Sequence, residues 1–191
     1  MTITENKILN GIKCLVKNTN NVGRTKLFKL LYFWDFMHFK KYGMSVTCYE
    51  YRTYPFGPVP DVLFRQINRD DLPPFLRGEI AIISDESIDE DDEFKRFKVC
   101  LKNRRVDLTS MTPNERGVLE WVADVFKYAT AKQMTEITHL HNSPWEKTYR
   151  EHGFGHPIDY FLAIDDETTL DREEIEEFFT LQKELHLNGR A

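Results

Sequence analysis

The sequence predicts an α+β fold, mainly helical, with one small antiparallel hairpin. Apolar residues recur at steps of three and four in several segments, which is typical of helices that bury one side. Two short runs, 79–84 and 94–101, are rich in β-branched or aromatic residues and flank an acidic stretch, so they predict a hairpin. Because the 191 residues contain no internal repeat and no linker, we expect a single domain over residues 1–191.

The segment from residue 24 to 43 predicts the central helix. Its aliphatic and tryptophan positions recur at helical spacing: Leu27, Leu30, Leu31, Trp34. Aromatic residues extend this stripe around most of the helix: Phe28, Tyr32, Phe33, Phe36, Phe39. A helix that is apolar on nearly all sides is expected to be buried. Gly43 is expected to end it with a left-handed cap, because glycine has no Cβ to clash there.

A strand and a rigid elbow are predicted after the central helix. The β-rich run 45–53 predicts a strand with Val46 and Cys48 on one face and Thr47, Tyr49 and Tyr51 on the other. Residues 55–60, Pro-Phe-Gly-Pro-Val-Pro, have few allowed backbone conformations and form the elbow. We expect Gly57 to adopt a backbone conformation that residues with a Cβ avoid. Pro60 is positioned to start a short helix, and residues 68–74 have the composition of a loop.

Four further helix starts are indicated by residues that cap helices. Thr2 and Glu5 have capping-box spacing, and the same spacing recurs at Thr112–Glu115, Thr130–Gln133 and Ser143–Glu146. Residues 158–163 predict a short apolar turn. Residues 165–191 are acidic, and the segment 171–186 predicts a closing helix.

Composition and charge restrict the functional classes. No apolar run has membrane-spanning length, the N-terminus does not resemble a signal peptide, and the three cysteines are scattered, so we expect a cytoplasmic protein. The net charge is −5, yet residues 1–44 carry eight Lys and Arg against two acids, and residues 85–93 hold seven acids. These runs are either solvated faces that attract one another or a basic surface that docks an acidic partner or nucleic acid. The overall acidity makes nucleic acid the less favoured partner.

The order of several short motifs resembles that of a known family. These are Lys29-Leu30-Leu31-Tyr32-Phe33, Tyr42-Gly43 and Tyr54-Pro55-Phe56-Gly57-Pro58-Val59-Pro60, followed by Leu119, Thr138-His139 and Pro144-Trp145. In this order they resemble the Panacea domain of SocA-like antitoxins, over roughly residues 8–163. The resemblance implies a bacterial or phage protein that neutralises a cognate protein toxin by direct binding, and that in some members also delivers the toxin to a protease. It implies neither catalysis nor a cofactor.

The alternative interpretation is a metal-dependent enzyme. Four histidines fall within eighteen residues, and zinc accepts imidazole ligands: His139, His141, His152, His156. Glycines and a proline around His152 and His156 argue against a regular helix, however, and no cysteine lies nearby to complete a structural site. Nucleotide-binding and hydrolase motifs are absent from the sequence. We therefore expect no metal ligand among these histidines, and we expect His139 to cap a helix or pack against Trp145.

Two groups of residues follow from these arguments. Tyrosine and arginine dominate interface hot spots, and the residues around the elbow are rich in both. The candidate partner-binding residues are Arg24, Lys26, Tyr51, Tyr54 and Phe56. The resemblance marks a second set as the structural motif of the domain: Leu30, Leu31, Tyr32, Gly57, Pro58, His139, Pro144, Trp145.

Overall fold

A computed structural model describes residues 1–84 and 97–188, so the acidic run 85–93 lies outside the described residues. The helices are α1 (Ile3–Asn18), α2 (Arg24–Tyr42), α3 (Asp61–Asn68), α4 (Pro74–Arg77), α5 (Pro113–Val125), α6 (Ala131–Thr138), α7 (Pro144–His152) and α8 (Arg172–Asn188), with a 3₁₀ turn at Tyr160–Ala163. The strands are β1 (Tyr51–Tyr54), β2 (Gly57–Pro60), β3 (Ile80–Ser84) and β4 (Phe97–Leu101). The predicted mainly helical α+β fold is confirmed. No helix among the described residues combines the length and the apolar composition needed to cross a membrane.

Helix α2 is the centre of the molecule, as its sequence predicts. It packs against α1, α5, α6, β2 and the 3₁₀ turn. Its buried side chains include every leucine of the stripe and also Trp34, whose indole Nε1 donates to the Glu115 carbonyl of α5 at 3.1 Å. Gly43 ends the helix at φ +71°, the left-handed cap that was expected.

The first hairpin differs from its prediction. Strand β1 covers only residues 51–54, whereas residues 45–50 form no strand. The elbow itself supplies the partner strand β2, in the register Tyr51↔Pro60 to Tyr54↔Gly57. On the other edge of β1, residues 153–158 add backbone hydrogen bonds, among them Thr53 N to the His156 carbonyl at 3.0 Å and Gly155 N to the Thr53 carbonyl at 2.7 Å. The hairpin is therefore embedded, with the chain after α7 lying along its outer side.

The second hairpin agrees with the prediction in its pairing. β3 and β4 are antiparallel, from Ile80↔Leu101 to Ser84↔Phe97. Ile80 is buried, whereas Ile83 on the opposite face of the strand is 54% exposed. The sheet therefore has one face on the core and one toward solvent, as two-stranded antiparallel sheets commonly do.

The predicted helix starts are observed. Thr2, Thr112 and Thr130 each accept from the backbone N–H three residues later, and the Glu or Gln at that position returns a hydrogen bond to the cap backbone. Ser143 caps α7 by accepting from Glu146 N at 3.1 Å, but the Glu146 carboxylate accepts from Asn142 N instead of completing the box.

Helix α8 is docked on the far end of α2. The Phe179 ring packs edge-on against Phe39 at 5.1 Å between centroids. A Cβ on Gly43 would lie 3.3 Å from the Ile175 Cα, so the two backbones approach closely there. Gln182 exchanges two hydrogen bonds with the Ser45 backbone, donating to its carbonyl at 2.6 Å and accepting from its N–H at 3.1 Å.

Candidate partner-binding site

The elbow is held in a conformation that requires glycine. Gly57 has φ +97°, and a Cβ built on it would lie 2.6 Å from Thr138 Oγ1 and 2.9 Å from Lys29 Cε. The predicted conformation of Gly57 is therefore confirmed. The elbow is locked against α2 on one side and α6 on the other, and Thr135 Oγ1 donates to the Phe56 carbonyl at 3.3 Å.

A buried lysine supports the elbow from below. The Lys29 side chain is fully buried, and its Nζ donates to the Pro58 carbonyl at 2.9 Å. Burial lowers the pKa of the Lys29 ammonium to about 7, because a charged group is disfavoured in a medium that cannot solvate it. Prolines at 58 and 60 remove two backbone donors from β2, so this strand cannot easily accept another strand, and Lys29 satisfies one of its carbonyls instead.

A buried carboxylate fixes the segment that leads into β1. Asp35 Oδ1 accepts from the backbone N–H groups of Val46 and Thr47 at 2.8 Å each. Its Oδ2 accepts from the Tyr51 hydroxyl at 2.7 Å and from the Thr47 hydroxyl. Desolvation raises the pKa of Asp35 despite these hydrogen bonds. The two donated backbone N–H groups are no longer available to a ladder, which explains why residues 45–50 form no strand.

Aromatic rings connect the core to the surface beside the elbow. His139, the C-cap of α6, stacks on Trp145 at 3.8 Å between centroids, Trp145 stacks on Tyr149 at 5.0 Å, and Tyr149 contacts Phe154 at 4.5 Å. Burial, followed by the charge of Lys29, lowers the pKa of the His139 imidazole. His139 thus makes the expected contact with Trp145, and Trp145 itself is buried.

The structure places the five predicted partner-binding residues differently. Lys26 and Tyr51 were expected to be exposed, and this is wrong because both are fully buried. Lys26 Nζ donates to the Asn20 and Ala129 carbonyls at 2.8 and 2.6 Å, and burial lowers its pKa to about 8. The Tyr51 hydroxyl donates to Asp35 Oδ2.

The remaining three candidates lie at the surface or partly so. Arg24 and Tyr54 are partly exposed and meet at Phe64, with the guanidinium 5.8 Å and the Tyr54 ring 4.9 Å from the Phe64 ring centre. Arg24 Nη1 also donates to Asn68 Oδ1 at 2.6 Å. Phe56, at the tip of the elbow, is 39% exposed.

Two aromatic residues that were not predicted border the same surface. Phe154 is half exposed and lies between Gly153 and Gly155, both of which hydrogen bond to Thr53 of β1. Tyr149 contacts Phe154 and is 39% exposed. The elbow surface, as the term is used below, consists of Arg24, Tyr54, Phe56, Tyr149 and Phe154.

The four histidines do not assemble into a metal-binding group. His139 lies on Trp145, His141 Nδ1 is 3.9 Å from a Glu146 oxygen, and the rings of His152 and His156 are 5.4 Å apart. Within residues 1–84 and 97–188, no three His, Cys, Asp or Glu side chains are grouped so that they could hold a metal ion. The geometry gives the alternative of a metal-dependent enzyme no support.

The family model of SocA-like antitoxins, Panacea domain, matches residues 27–146. The chain belongs to this family. The matched part begins in α2, contains the elbow and both hairpins, and ends in the first turn of α7. It is shorter than the span of 8–163 over which motifs of the Panacea domain were expected, and it does not include α1 or α8. Neither the curated proteins nor the solved structures provide a match to this chain.

The Panacea-domain motifs now have physical roles. Leu30, Leu31 and Tyr32 are buried in α2, Pro58 receives the Lys29 hydrogen bond, and Pro144 occupies the first turn of α7. Asp35 was not singled out from the sequence, and Lys29 was named only as the first residue of a motif, with no role assigned to its charge. Their signal was nevertheless present, because any charged residue in a helix predicted to be buried on all sides must itself be buried and paired.

Proposed function

We propose that this Panacea-domain protein neutralises a cognate protein toxin by direct contact through the elbow surface, without catalysis. The observation that carries the proposal is the match to an antitoxin family over the part of the chain that forms the elbow. A family of antitoxins implies a toxin as partner. The elbow is a tightly held part of the matched segment, and it reaches the surface at Phe56.

The composition of the elbow surface suits a protein partner. It presents Phe56, Tyr149 and Phe154 with 39, 39 and 50% of their surface exposed. Large aromatic side chains supply most of the energy at interface hot spots, because they bury much apolar area and lose few rotamers. Arg24 and Tyr54 add polar groups to the elbow surface.

Rigidity of the support strengthens the proposal. Gly57, Lys29 and Thr138 hold the tip of the elbow, and Thr53 ties the segment carrying Phe154 to β1. A preorganised surface loses little conformational entropy when a partner binds. The contact would therefore form with small rearrangement of the antitoxin, and it would block the toxin by covering it.

Co-expression with the product of the neighbouring gene tests the proposal. We expect the neighbouring gene's product to arrest growth when it is expressed alone. Co-expression of this chain should restore growth, and the two proteins should co-purify as a complex. Phe56→Asp should abolish both rescue and co-purification, since a charge would be placed at the centre of an apolar contact. Tyr128→Asp is the matched control, because Tyr128 is an exposed aromatic residue in the turn after α5, outside the elbow surface.

Two further arms separate the proposal from its alternatives. His141→Ala and His156→Ala should rescue growth normally; loss of rescue by either folded variant would favour chemistry at the histidines. The lifetime of the toxin distinguishes occlusion from delivery to a protease. A stable toxin in rescued cells supports occlusion alone, whereas a toxin that disappears only when this chain is present supports the adaptor role as well.

A further inference from the structure

Helix α8 has two apolar faces. The inner face packs on the end of α2 through Ile175, Phe179 and Gln182. The outer face carries Phe178, Leu181 and Leu185, which are 38, 51 and 65% exposed. Residues three and four positions apart lie on one side of a helix, so these three form one stripe. A surface helix ordinarily needs a single apolar face. Phe178 lies at the border of the two faces, since its ring also approaches Gly43, whereas Leu181 and Leu185 are the more exposed members of the stripe.

Acidic side chains accompany the outer face. Glu174, Glu177 and Glu184 lie at the same helical spacing as the stripe, and all three are exposed. The two bases of the helix within its described side chains, Arg172 and Lys183, are used elsewhere. Arg172 pairs with Glu176 at 3.0 Å, and Lys183 lies 4.2 Å from the centre of the Phe179 ring. The stripe is therefore apolar along its centre and negative along its edge.

The anchoring of α8 fixes the direction in which this stripe points. Gln182 forms two hydrogen bonds with Ser45, and the close approach at Gly43 sets the depth of the helix. Lys40 of α2 pairs with Asp165 and Glu167 just before the helix, at 2.7 and 3.0 Å. α8 thus presents its outer face as a rigid ridge.

From these features we propose that the outer face of α8 is a second toxin-docking surface that determines which toxin is recognised. The partner it fits is an apolar groove on the toxin with Lys or Arg along its rim, the arrangement by which an amphipathic helix is bound in a groove. The proposal rests on the proposed antitoxin function. It adds that recognition is divided between the elbow surface, whose Tyr54 and Phe56 lie inside the family-matched segment, and α8, which lies outside it.

Calorimetric titration of the neighbouring gene's toxin into the purified full chain tests this. Leu181→Glu places a charge in the centre of the stripe and should weaken binding about tenfold or more. The matched control is Tyr128→Glu, which places the same charge on an exposed apolar side chain outside both α8 and the elbow surface. It should bind like the unmodified chain. Circular dichroism and thermal melting show that both variants are folded.

Salt dependence tests the charge of the partner. Binding of the unmodified chain should weaken as the salt concentration rises from about 50 to about 300 mM. This range includes the concentrations at which the Debye length is about 8–10 Å. The variant in which Glu174, Glu177 and Glu184 are all changed to Gln should lose most of that dependence. Salt-independent binding by the unmodified chain would rule out a toxin groove with Lys or Arg along its rim.

The outcomes separate this inference from the function on which it rests. Toxin that binds the unmodified chain and Leu181→Glu equally would overturn the α8 surface and leave the elbow proposal standing. Toxin that binds neither would overturn the antitoxin proposal, and the α8 proposal with it. Light scattering on the free chain gives one more result: a dimer that Leu181→Glu dissociates would show that a second copy, not the toxin, occupies this face.

Discussion

Helices α2 and α8 depart from the usual distribution of side chains in opposite directions. α2 buries ionisable groups, with Lys26, Lys29 and Asp35 fully buried and His38 almost so. α8 leaves three large apolar side chains exposed, although it contributes only Ile175 to the fully buried core. Each departure costs free energy in the isolated chain, since a buried charge loses its hydration and an exposed apolar side chain orders water.

The buried ionisable groups of α2 and the exposed apolar side chains of α8 have different consequences. Each of these four side chains of α2 has at least one hydrogen-bond partner in the fold, which offsets part of the cost of burial. In the stripe of α8, by contrast, Leu181 and Leu185 keep 51 and 65% of their surface exposed. Buried ionisable side chains that hydrogen bond within the fold contribute to its structure. Large apolar side chains that stay exposed are candidates for contact with a partner.

The largest expected effect tests the scaffold side of the comparison. Asp35→Ala removes the acceptor of two backbone N–H groups and two hydroxyl groups. Each buried donor left without a partner costs about 1–3 kcal/mol, so we expect a loss of about 4 kcal/mol or more in the free energy of unfolding. Urea titration measures it. Glu177→Ala on the exposed side of α8 is the control and should change stability by less than about 0.5 kcal/mol.

Trp145→Ala comes next and probes the packing beside the elbow. Trp145 is buried and stacks between His139 and Tyr149. Truncation of a large core aromatic costs about 3–5 kcal/mol, which thermal and urea unfolding would reveal. Unchanged stability with lost toxin binding would instead make Trp145 a contact residue and break the assignment of this ring to the scaffold.

A pH dependence distinguishes the buried lysines from ordinary surface lysines. The folded pKa of Lys29 is about 7, below the usual value near 10.4, so the unfolded chain binds more protons between these values. Stability therefore rises with pH from 7 upward, by about 3 kcal/mol at most up to pH 9.5 for this one group. Lys29→Met should remove the part of the rise that begins at pH 7. The part due to Lys26, whose pKa is about 8, should remain. Equal slopes in both proteins, measured by urea unfolding from pH 6.5 to 9.5, would show that Lys29 is not desolvated.

Gly57→Val has a smaller expected effect and tests the lock on the elbow. The variant combines a positive φ with a Cβ 2.6 Å from Thr138 Oγ1, and we expect a loss of about 1–3 kcal/mol together with weaker toxin binding. Gly153→Val is the matched control, because Gly153 also has a positive φ but its Cβ would meet nothing within 4 Å. Similar losses for both would mean that backbone strain alone, and not the contact with Lys29 and Thr138, fixes this position.

The parts of the fold that the sequence predicted well are those with local causes. Capping boxes at Thr112 and Thr130, the left-handed cap at Gly43 and the conformation of Gly57 each depend on a few adjacent residues, and all were recognised. The same holds for the contact between His139 and Trp145, which are six residues apart.

The parts that were missed have long-range causes. Residues 45–50 have the composition of a strand, but Asp35 takes their backbone donors from ten or more residues away. Tyr51 was predicted to be an interface residue, but it is buried because its hydroxyl donates to the Asp35 carboxylate, sixteen residues earlier in the chain. Phe154 joins the elbow only because residues 153–158 return to the edge of β1, a pairing across about a hundred residues that no local pattern encodes.

The central claim is that the elbow surface binds the toxin, and the double variant Tyr54→Ala/Phe56→Ala tests it most directly. Calorimetric titration with the toxin, alongside thermal melting of the free chain, separates binding from folding. Each truncation of an interface hot spot costs about 2 kcal/mol, so the two together predict binding roughly a thousandfold weaker, while the melting curve still shows a folded chain. A folded double variant that binds the toxin as tightly as the unmodified chain would contradict it.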